Sequence, residues 1–329
     1  MRVIGQVLSA TGRHGPALLV LSLVLGAGFE WLATVAYGIL PVSAFLLTLG
    51  SFLSASLAAP EKGLGWRRLL VTLAWVGLGV PLVIALAIAG LPLDPAVRAG
   101  VVLSVLAPPV GSAAAIAAIL GLQPRLALVA SIALTLLAPL SMPVFATLLG
   151  VNVSVDMARL AWRLALIIGS AAVLAQMARH WRPRLRSVLP DAQAAAGVAV
   201  VGLVIVGLAM MSGIRAHWST DPQAFAAFVG AAVAINLGAG LVGAVLFASW
   251  GAKDALTVGL VSGNRNVTLA WAAAGSTLPV ATEAYVAACV LPVLALPLAV
   301  KSVMALCTRL GNALARRAGA RMARLAAKP

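Results

Sequence analysis

Apolar residues run along this chain in blocks of about 20, each closed by a short polar or basic segment. A helix rising about 1.5 Å per residue needs that length to cross a bilayer. Reading the blocks between charges predicts ten membrane spans, over 16–36, 38–58, 69–91, 98–121, 126–149, 158–178, 192–213, 222–249, 255–275 and 284–306. An even number of spans returns both termini to one face. The first span has a basic start ahead of an apolar core, as a signal peptide does. Its apolar stretch continues past Phe29 to Trp31 and Leu32, and it reads as an uncleaved first helix.

Composition makes this an all-α integral membrane protein: 62% of the residues are hydrophobic and only 9% charged. A net charge of +15 raises nucleic acid as a partner, but a nucleic-acid surface needs its basic residues on a polar folded module. Here they punctuate apolar spans. Of the 23 Lys and Arg, only Arg98, Arg159, Arg163 and Arg215 fall on the face opposite the termini, and Arg265 and Lys301 lie within spans; the other 17 share the face of the termini. By the positive-inside rule that face is cytoplasmic. The expected location is the plasma membrane, of the bacterial inner-membrane type, and the lipid bilayer is the one certain partner. Cys289 and Cys307 are 18 residues apart in the tenth span, about 27 Å along a helix and out of disulfide reach. The basic tail, 309–329, suits a helix lying on an anionic leaflet.

Two spans break the pattern. Arg265 is the only charge between Asp254 and Glu283 and stands near the middle of the ninth. An arginine at the membrane midplane costs roughly 2.5–3.5 kcal/mol or more and is kept where it faces a cavity or finds a partner. Gly263, Asn264 and Asn266 bracket it, and Asn tolerates irregular backbone and caps helices. In the fourth span Pro108 and Pro109 stand in an uncharged stretch, followed by Gly111 and Ser112. Two prolines remove two donors and disfavour helix before them, and Pro109 is expected in the first turn of a second half-helix. The interrupted spans are the fourth of each set of five. An odd number per half inverts one half relative to the other, and discontinuous helices at matching positions point to a secondary transporter with its site at the repeat interface. Two plainer readings stay open: a double-proline kink, and an arginine that braces freed carbonyls. Asn236, at membrane depth in the eighth span, is either packing glue or part of the cavity.

The run Leu106-Ala-Pro-Pro-Val-Gly-Ser112, with Leu134-Thr-Leu-Leu-Ala-Pro-Leu140 after it, resembles the fourth and fifth spans of the bile acid:sodium symporter family. Asn236, Gly238, Gly240 and Gly243 resemble that family's eighth span, and Gly263-Asn-Arg-Asn-Val-Thr-Leu-Ala270 its Gly-x-x-Asn-x-x-Leu-Ala motif. The similarity extends over about 16–306. It implies ten helices in two inverted five-helix repeats, 1–155 and 156–308, with crossed, discontinuous fourth and ninth helices. It also implies a panel of spans one, two, six and seven that rocks against the remaining core.

The resemblance places degenerate sodium positions at Val261, Ala113, Ala114, Ala127 and Ser131, with Arg265 where a further ligand would stand. Sodium requires oxygen ligands, and most are gone, which puts sodium coupling in doubt; sodium and a proton both stay open as coupling ion, and a fixed guanidinium that cannot deprotonate is expected in the cation's place. The arsenite-efflux relatives imply a cysteine near the fourth-helix break, where this chain has Ala107-Pro-Pro109. No metal site, cofactor or enzymatic group is expected: His14, His180 and His217 stand at span ends, and no span interior holds two carboxylates. The function expected is carriage of a small organic anion by alternating access. Its site is drawn from Arg265, Asn264, Asn266, Gly263, Thr268, Pro108, Pro109, Gly111, Ser112 and Asn236; the competing class is a non-transporting receptor or sensor on a carrier fold.

Overall fold

The computed structural model describes residues 2–57, 65–151, 156–185, 188–189, 191–274, 278–293 and 295–296. Among these, all regular structure is helical apart from one isolated β-bridge. The basic tail 309–329, Lys301, Cys307 and the second half of the tenth predicted span lie outside the described residues.

In chain order the helices are α1 (Arg2–Arg13), α2 (Gly15–Gly28), α3 (Glu30–Gly38), α4 (Leu40–Leu57), α5 (Trp66–Ala74), α6 (Val80–Ala89), α7 (Pro95–Leu106) and α8 (Ala113–Ile119). They continue with α9 (Pro124–Leu148), α10 (Met157–His180), the single turn α11 (Arg182–Leu185), α12 (Ala192–Thr220), α13 (Pro222–Leu246), α14 (Ala252–Gly263), α15 (Val267–Ala274) and α16 (Val280–Val293). A π-helical turn, Trp75–Gly79, joins α5 to α6 without interrupting the rod. Five helices are long and apolar enough to cross a membrane as continuous rods: Trp66–Ala89, α9, α10, α12 and α13, the third, fifth, sixth, seventh and eighth predicted spans. Two bent pairs raise the number to seven. The fourth and ninth predicted spans are broken into α7 and α8, and α14 and α15.

The acidic residues explain where many helices begin. Asp94, Asp156, Asp191 and Asp221 each accept a hydrogen bond from a first-turn amide, at 2.7, 2.9, 2.7 and 2.9 Å. A carboxylate there satisfies a donor with no partner inside the helix and faces the positive end of the dipole. Pro95 and Pro222 follow two of these caps directly, at the position where a missing N–H costs nothing.

The N-terminal region departs from the expected pair of straight spans, 16–36 and 38–58. A helix, α1, precedes the first span and meets α2 at 85°. The first span itself is interrupted at Phe29, whose φ of −123° and ψ of 97° are extended. A second bend, of 68°, separates α3 from α4. The cause for α1 lies in close packing: a Cβ on Gly12 would stand 2.1 Å from the Gln193 carbonyl and one on Gly197 2.0 Å from that of Leu8, so these glycines seat α1 directly on α12. Ser9 ties the contact by donating to Asp191 at 3.0 Å.

The helices pack in two groups. α12 lies along α1, α2, α3 and α4, and α10 lies against α4. The other group gathers α5 to α9 with α13, α14 and α15; α16 joins it, its Tyr285 packing on Phe228 of α13 and its Thr282 donating to the Ala96 carbonyl. The groups meet where α9 and α15 contact α10 and α4. In the second group α13 and α14 touch backbone to backbone. A Cβ on Gly259 would stand 2.5 Å from the Gly240 carbonyl, and one on Gly263 2.2 Å from that of Asn236.

Gly259→Ala therefore pushes two backbones apart, at a cost of about 1–3 kcal/mol by analogy with overpacked cores. Gly238→Ala on α13 meets nothing within 4 Å. Thermal unfolding in detergent should show a lower Tm for Gly259→Ala and an unchanged or slightly higher one for Gly238→Ala.

Candidate functional site

The two broken spans cross at their breaks. α7 ends at Leu106, Ala107 turns extended at φ −55° and ψ 141°, and the chain resumes helix only at Ala113. α14 ends at Gly263, Asn264 is extended, and α15 starts at Val267. The two extended pieces pair antiparallel, as a bridge between Pro109 and Arg265. The Val110 amide donates to the Asn264 carbonyl at 3.0 Å and the Asn266 amide to the Pro108 carbonyl at 2.7 Å. Backbone groups released by each break are thus satisfied by the other, the condition for irregular backbone at membrane depth. Pro109 faces Arg265 from within this pairing, six residues' length of break rather than a helical first turn separating α7 from α8; the expectation that it opens the second half-helix is corrected. The reason is that pairing with 264–266 holds 108–110 extended. Asn266 does cap α15, its Oδ1 accepting from the Leu269 amide at 3.3 Å.

Arg265 is 4% exposed, and each guanidinium nitrogen donates to a backbone carbonyl: Nε to Ser262 at 2.8 Å, Nη1 to Ala107 at 3.3 Å and Nη2 to Val76 at 2.9 Å. Each of these carbonyls is one that irregular backbone sets free. The Ser262 oxygen would meet the Asn266 amide in an unbroken helix, but that amide is spent on Pro108. The Ala107 oxygen lies at the start of the fourth-span break. The Val76 oxygen loses the Val80 amide, which bonds Trp75 in the π turn, and the residue after Val80 is Pro81, which has no N–H. One side chain therefore joins the irregular points of three spans. The ion pairs among the described residues, Arg68 with Asp254, Arg159 with Asp156 and Arg215 with Glu30, do not include it.

Around the crossing the structure sorts the expected site residues. Val261, Ala113 and Ala127, three of the degenerate sodium positions, are fully buried in an apolar cluster with Val76, Ala117 and Leu134, so apolar packing fills the place the resemblance gives to sodium. Ala114 is half-buried beside them. Ser131 stands apart: it lines a cavity at the junction of α4 and α9 with Thr48, Ser51, Thr135, Gly111 and Asn266. That cavity, of about 10 Å³, has room for about one water. Asn236, Gly263 and Arg265 border a second one, of about 20 Å³, with Ser104, Ser262, Tyr285 and Cys289. Pro108, Pro109 and Asn264 form the crossing itself, and neither polar atom of the buried Asn264 side chain has a hydrogen-bond partner. Thr268 is buried in α15, and Ser112 is exposed and makes no side-chain cap. Thr48, Ser51, Thr135 and the carbonyl of Val76 were not among the expected site residues; Gly77, Gly79 and Pro81 around Val76 are the trace that its carbonyl left in the sequence.

Compared with known proteins, the chain matches no family model and no curated protein.

Truncating Arg265 to Ala leaves three buried carbonyls without donors, at about 1–3 kcal/mol each. Arg265→Ala should therefore lower the Tm by many degrees in the absence of any ligand. Arg265→Lys, with a point charge in place of a planar fork, should recover part of it. An Arg265→Ala protein that melts with the wild type shows that the guanidinium braces nothing.

Proposed function

We propose that this protein is a secondary carrier for a small organic anion, built as ten spans in two inverted repeats of the bile acid:sodium symporter kind, with the substrate site at the crossing of the two broken spans. The observation that carries this reading is a buried guanidinium at that crossing with no ion-pair partner among the described residues. Three of its five N–H groups, one on each nitrogen, are given to carbonyls, so Arg265 acts on an anion mainly through its field. In a low-dielectric interior that field is weakly screened. The N-terminus of α15, capped by Asn266, adds the positive end of a helix dipole beside the cavity of Thr48, Ser51, Ser131 and Thr135. The Ser131 hydroxyl there has no hydrogen-bond partner, whereas those of Thr48 and Ser51 donate to the Ala44 and Leu47 carbonyls of their own helix, and no acidic residue lines the cavity.

The same arrangement supports operation without sodium. Three carbonyl oxygens converging from separate segments are the donors a hard cation requires, and the guanidinium holds them permanently. The cavity is the size of one water, so an organic anion enters only when the group containing α4 separates from the group containing α9. The rocking of panel against core does this. Alternation of ten spans is supported by the polar pairs between elements: Arg215 with Glu30, Arg68 with Asp254, and the Gln123 amide with Thr257 each join positions that the alternation puts on one face. The excess of basic residues assigns the termini to the cytoplasm.

The test is a thermal-shift screen of the purified protein against small organic anions, run in sodium and in choline buffers of equal ionic strength, followed by uptake of the stabilising anion into proteoliposomes. At least one anion class should raise the Tm equally in both buffers and be taken up. Stabilisation that requires sodium contradicts the fixed-cation reading, and a stabilising anion that is never taken up contradicts carriage.

A further inference from the structure

At one end of the seam between the two helix groups, a small polar knot joins them. Glu283 of α16 accepts from the Tyr37 hydroxyl of α3 and, through the same oxygen Oε1, from Trp271 Nε1 of α15 at 3.2 Å. The Tyr37 and Trp271 rings meet edge to face, 5.8 Å between centroids. His217 of α12 lies within electrostatic reach of the carboxylate. Tyr37 and His217 belong to the group of α1–α4, α10 and α12, whereas Trp271 and Glu283 belong to the group that carries the crossing. Close by, Arg163 of α10 donates to the carbonyl of Ala274, the last residue of α15, at 3.3 Å. The opposite end is tied differently. There, Ser9 with Asp191 stays inside the first group, and Arg68 with Asp254 and the Gln123 amide with Thr257 stay inside the second.

The position of the knot matters because of what lies beneath it. Trp271 follows Asn266 by five residues, about 7.5 Å along α15, and Asn266 lines the seam cavity with Thr48 and Ser51. The Tyr37–Trp271 ring pair therefore lies between the depth of the cavity and the Glu283 end of the seam, more than one helical turn beyond Asn266. A charge-assisted bond is stronger than a neutral one, and here two donors from opposite sides of the seam share one carboxylate oxygen. The Arg163 bond to the Ala274 carbonyl, at 3.3 Å, is a second and longer tie across the same end of the seam. Tyr37 supplies its hydroxyl from a short helix bent by 68° from α4, at a point where the first group has a joint.

We propose that Glu283, with Tyr37 and Trp271, is the latch that closes the carrier on the side away from the termini. The inference rests on the carrier reading. With the carboxylate engaged, the seam is shut above the crossing and the cavity communicates only with the terminus side. Breaking the Tyr37 bond leaves the longer Arg163 bond as the tie on this side, and the first group then swings from α15 and α16 and opens the cavity to the Glu283 side.

Accessibility of a reporter cysteine tests this without any substrate. Thr48→Cys is introduced in a Cys289→Ala, Cys307→Ala background, and its reaction with a membrane-impermeant sulfonated maleimide is followed in right-side-out and inside-out vesicles. The parent should label slowly from the Glu283 side, and Tyr37→Phe and Glu283→Gln should each raise that rate at least fivefold while leaving the rate from the terminus side unchanged. Tyr37→Phe removes one oxygen and keeps the ring, so it decides the matter alone if Glu283→Gln fails to insert. Equal labelling of the parent and Tyr37→Phe from the Glu283 side overturns the latch, and so does a rise of the same size from both sides, which marks a generally loosened seam. Because no anion is involved, a latch that opens in a protein that carries nothing rejects the carrier reading alone.

Discussion

A desolvated guanidinium holds this architecture at its centre. Removing an arginine from water is costly, and an isolated buried charge is unfavourable unless hydrogen-bonded. Breaking a helix inside a membrane is costly too, because freed carbonyls have no water to turn to. Each of these costs offsets the other here. Arg265 finds three acceptors because three spans are irregular at one depth, and the spans tolerate irregularity because one side chain supplies three donors. The antiparallel pairing of 108–110 with 264–266 completes the arrangement by joining the two breaks through their backbones.

From that centre the surrounding features follow. The two breaks can cross only if α13 and α14 approach without side chains between them, which Gly240, Gly259 and Gly263 permit. Val261, Ala113 and Ala127 pack as an apolar cluster with Val76, whose carbonyl the guanidinium holds. On the carrier reading proposed above, a fixed charge also changes what the protein can do. A coupling ion arrives and leaves, and its gradient drives the cycle. A guanidinium does neither, so the proposed opening and closing would fall to contacts at the seam, where Glu283 joins the two groups.

Much of this was legible in the sequence because its strongest signals are exclusions. A lone arginine in a membrane span and a pair of prolines in another admit few explanations, and both breaks lie where those residues put them. Five of the ten spans are continuous helices close to their expected bounds, since a run of about 20 apolar residues has few other uses. Three things were not legible. The bend at Phe29 follows from how α1–α4 wrap α12, a tertiary effect with no proline to announce it, and the bend at Ile39 falls between Gly38 and Pro41, a signal the apolar run overrode. The role of Arg265 was left between brace and ligand, because which way a guanidinium points depends on carbonyls, and carbonyls have no letter in a sequence. The start of α8 was set too early, at Pro109, because a proline suits a helical first turn as well as it suits an extended pair. The four aspartate caps were also not read from the sequence, although Asp-Pro at 94–95 and 221–222 and the placement of Asp156 and Asp191 ahead of apolar runs carry their signal.

The most direct measurement on the central interaction is chemical rescue of Arg265→Ala. A guanidinium ion supplied in solution is small enough to occupy the vacated place and carries the same planar donors to the carbonyls of Val76, Ala107 and Ser262. Millimolar guanidinium, far below denaturing concentrations, should raise the Tm of Arg265→Ala by several degrees and leave that of the wild type unchanged. An Arg265→Ala protein whose Tm equals that of the wild type, or is not raised by guanidinium, would contradict a cation held by freed carbonyls as the keystone of this fold.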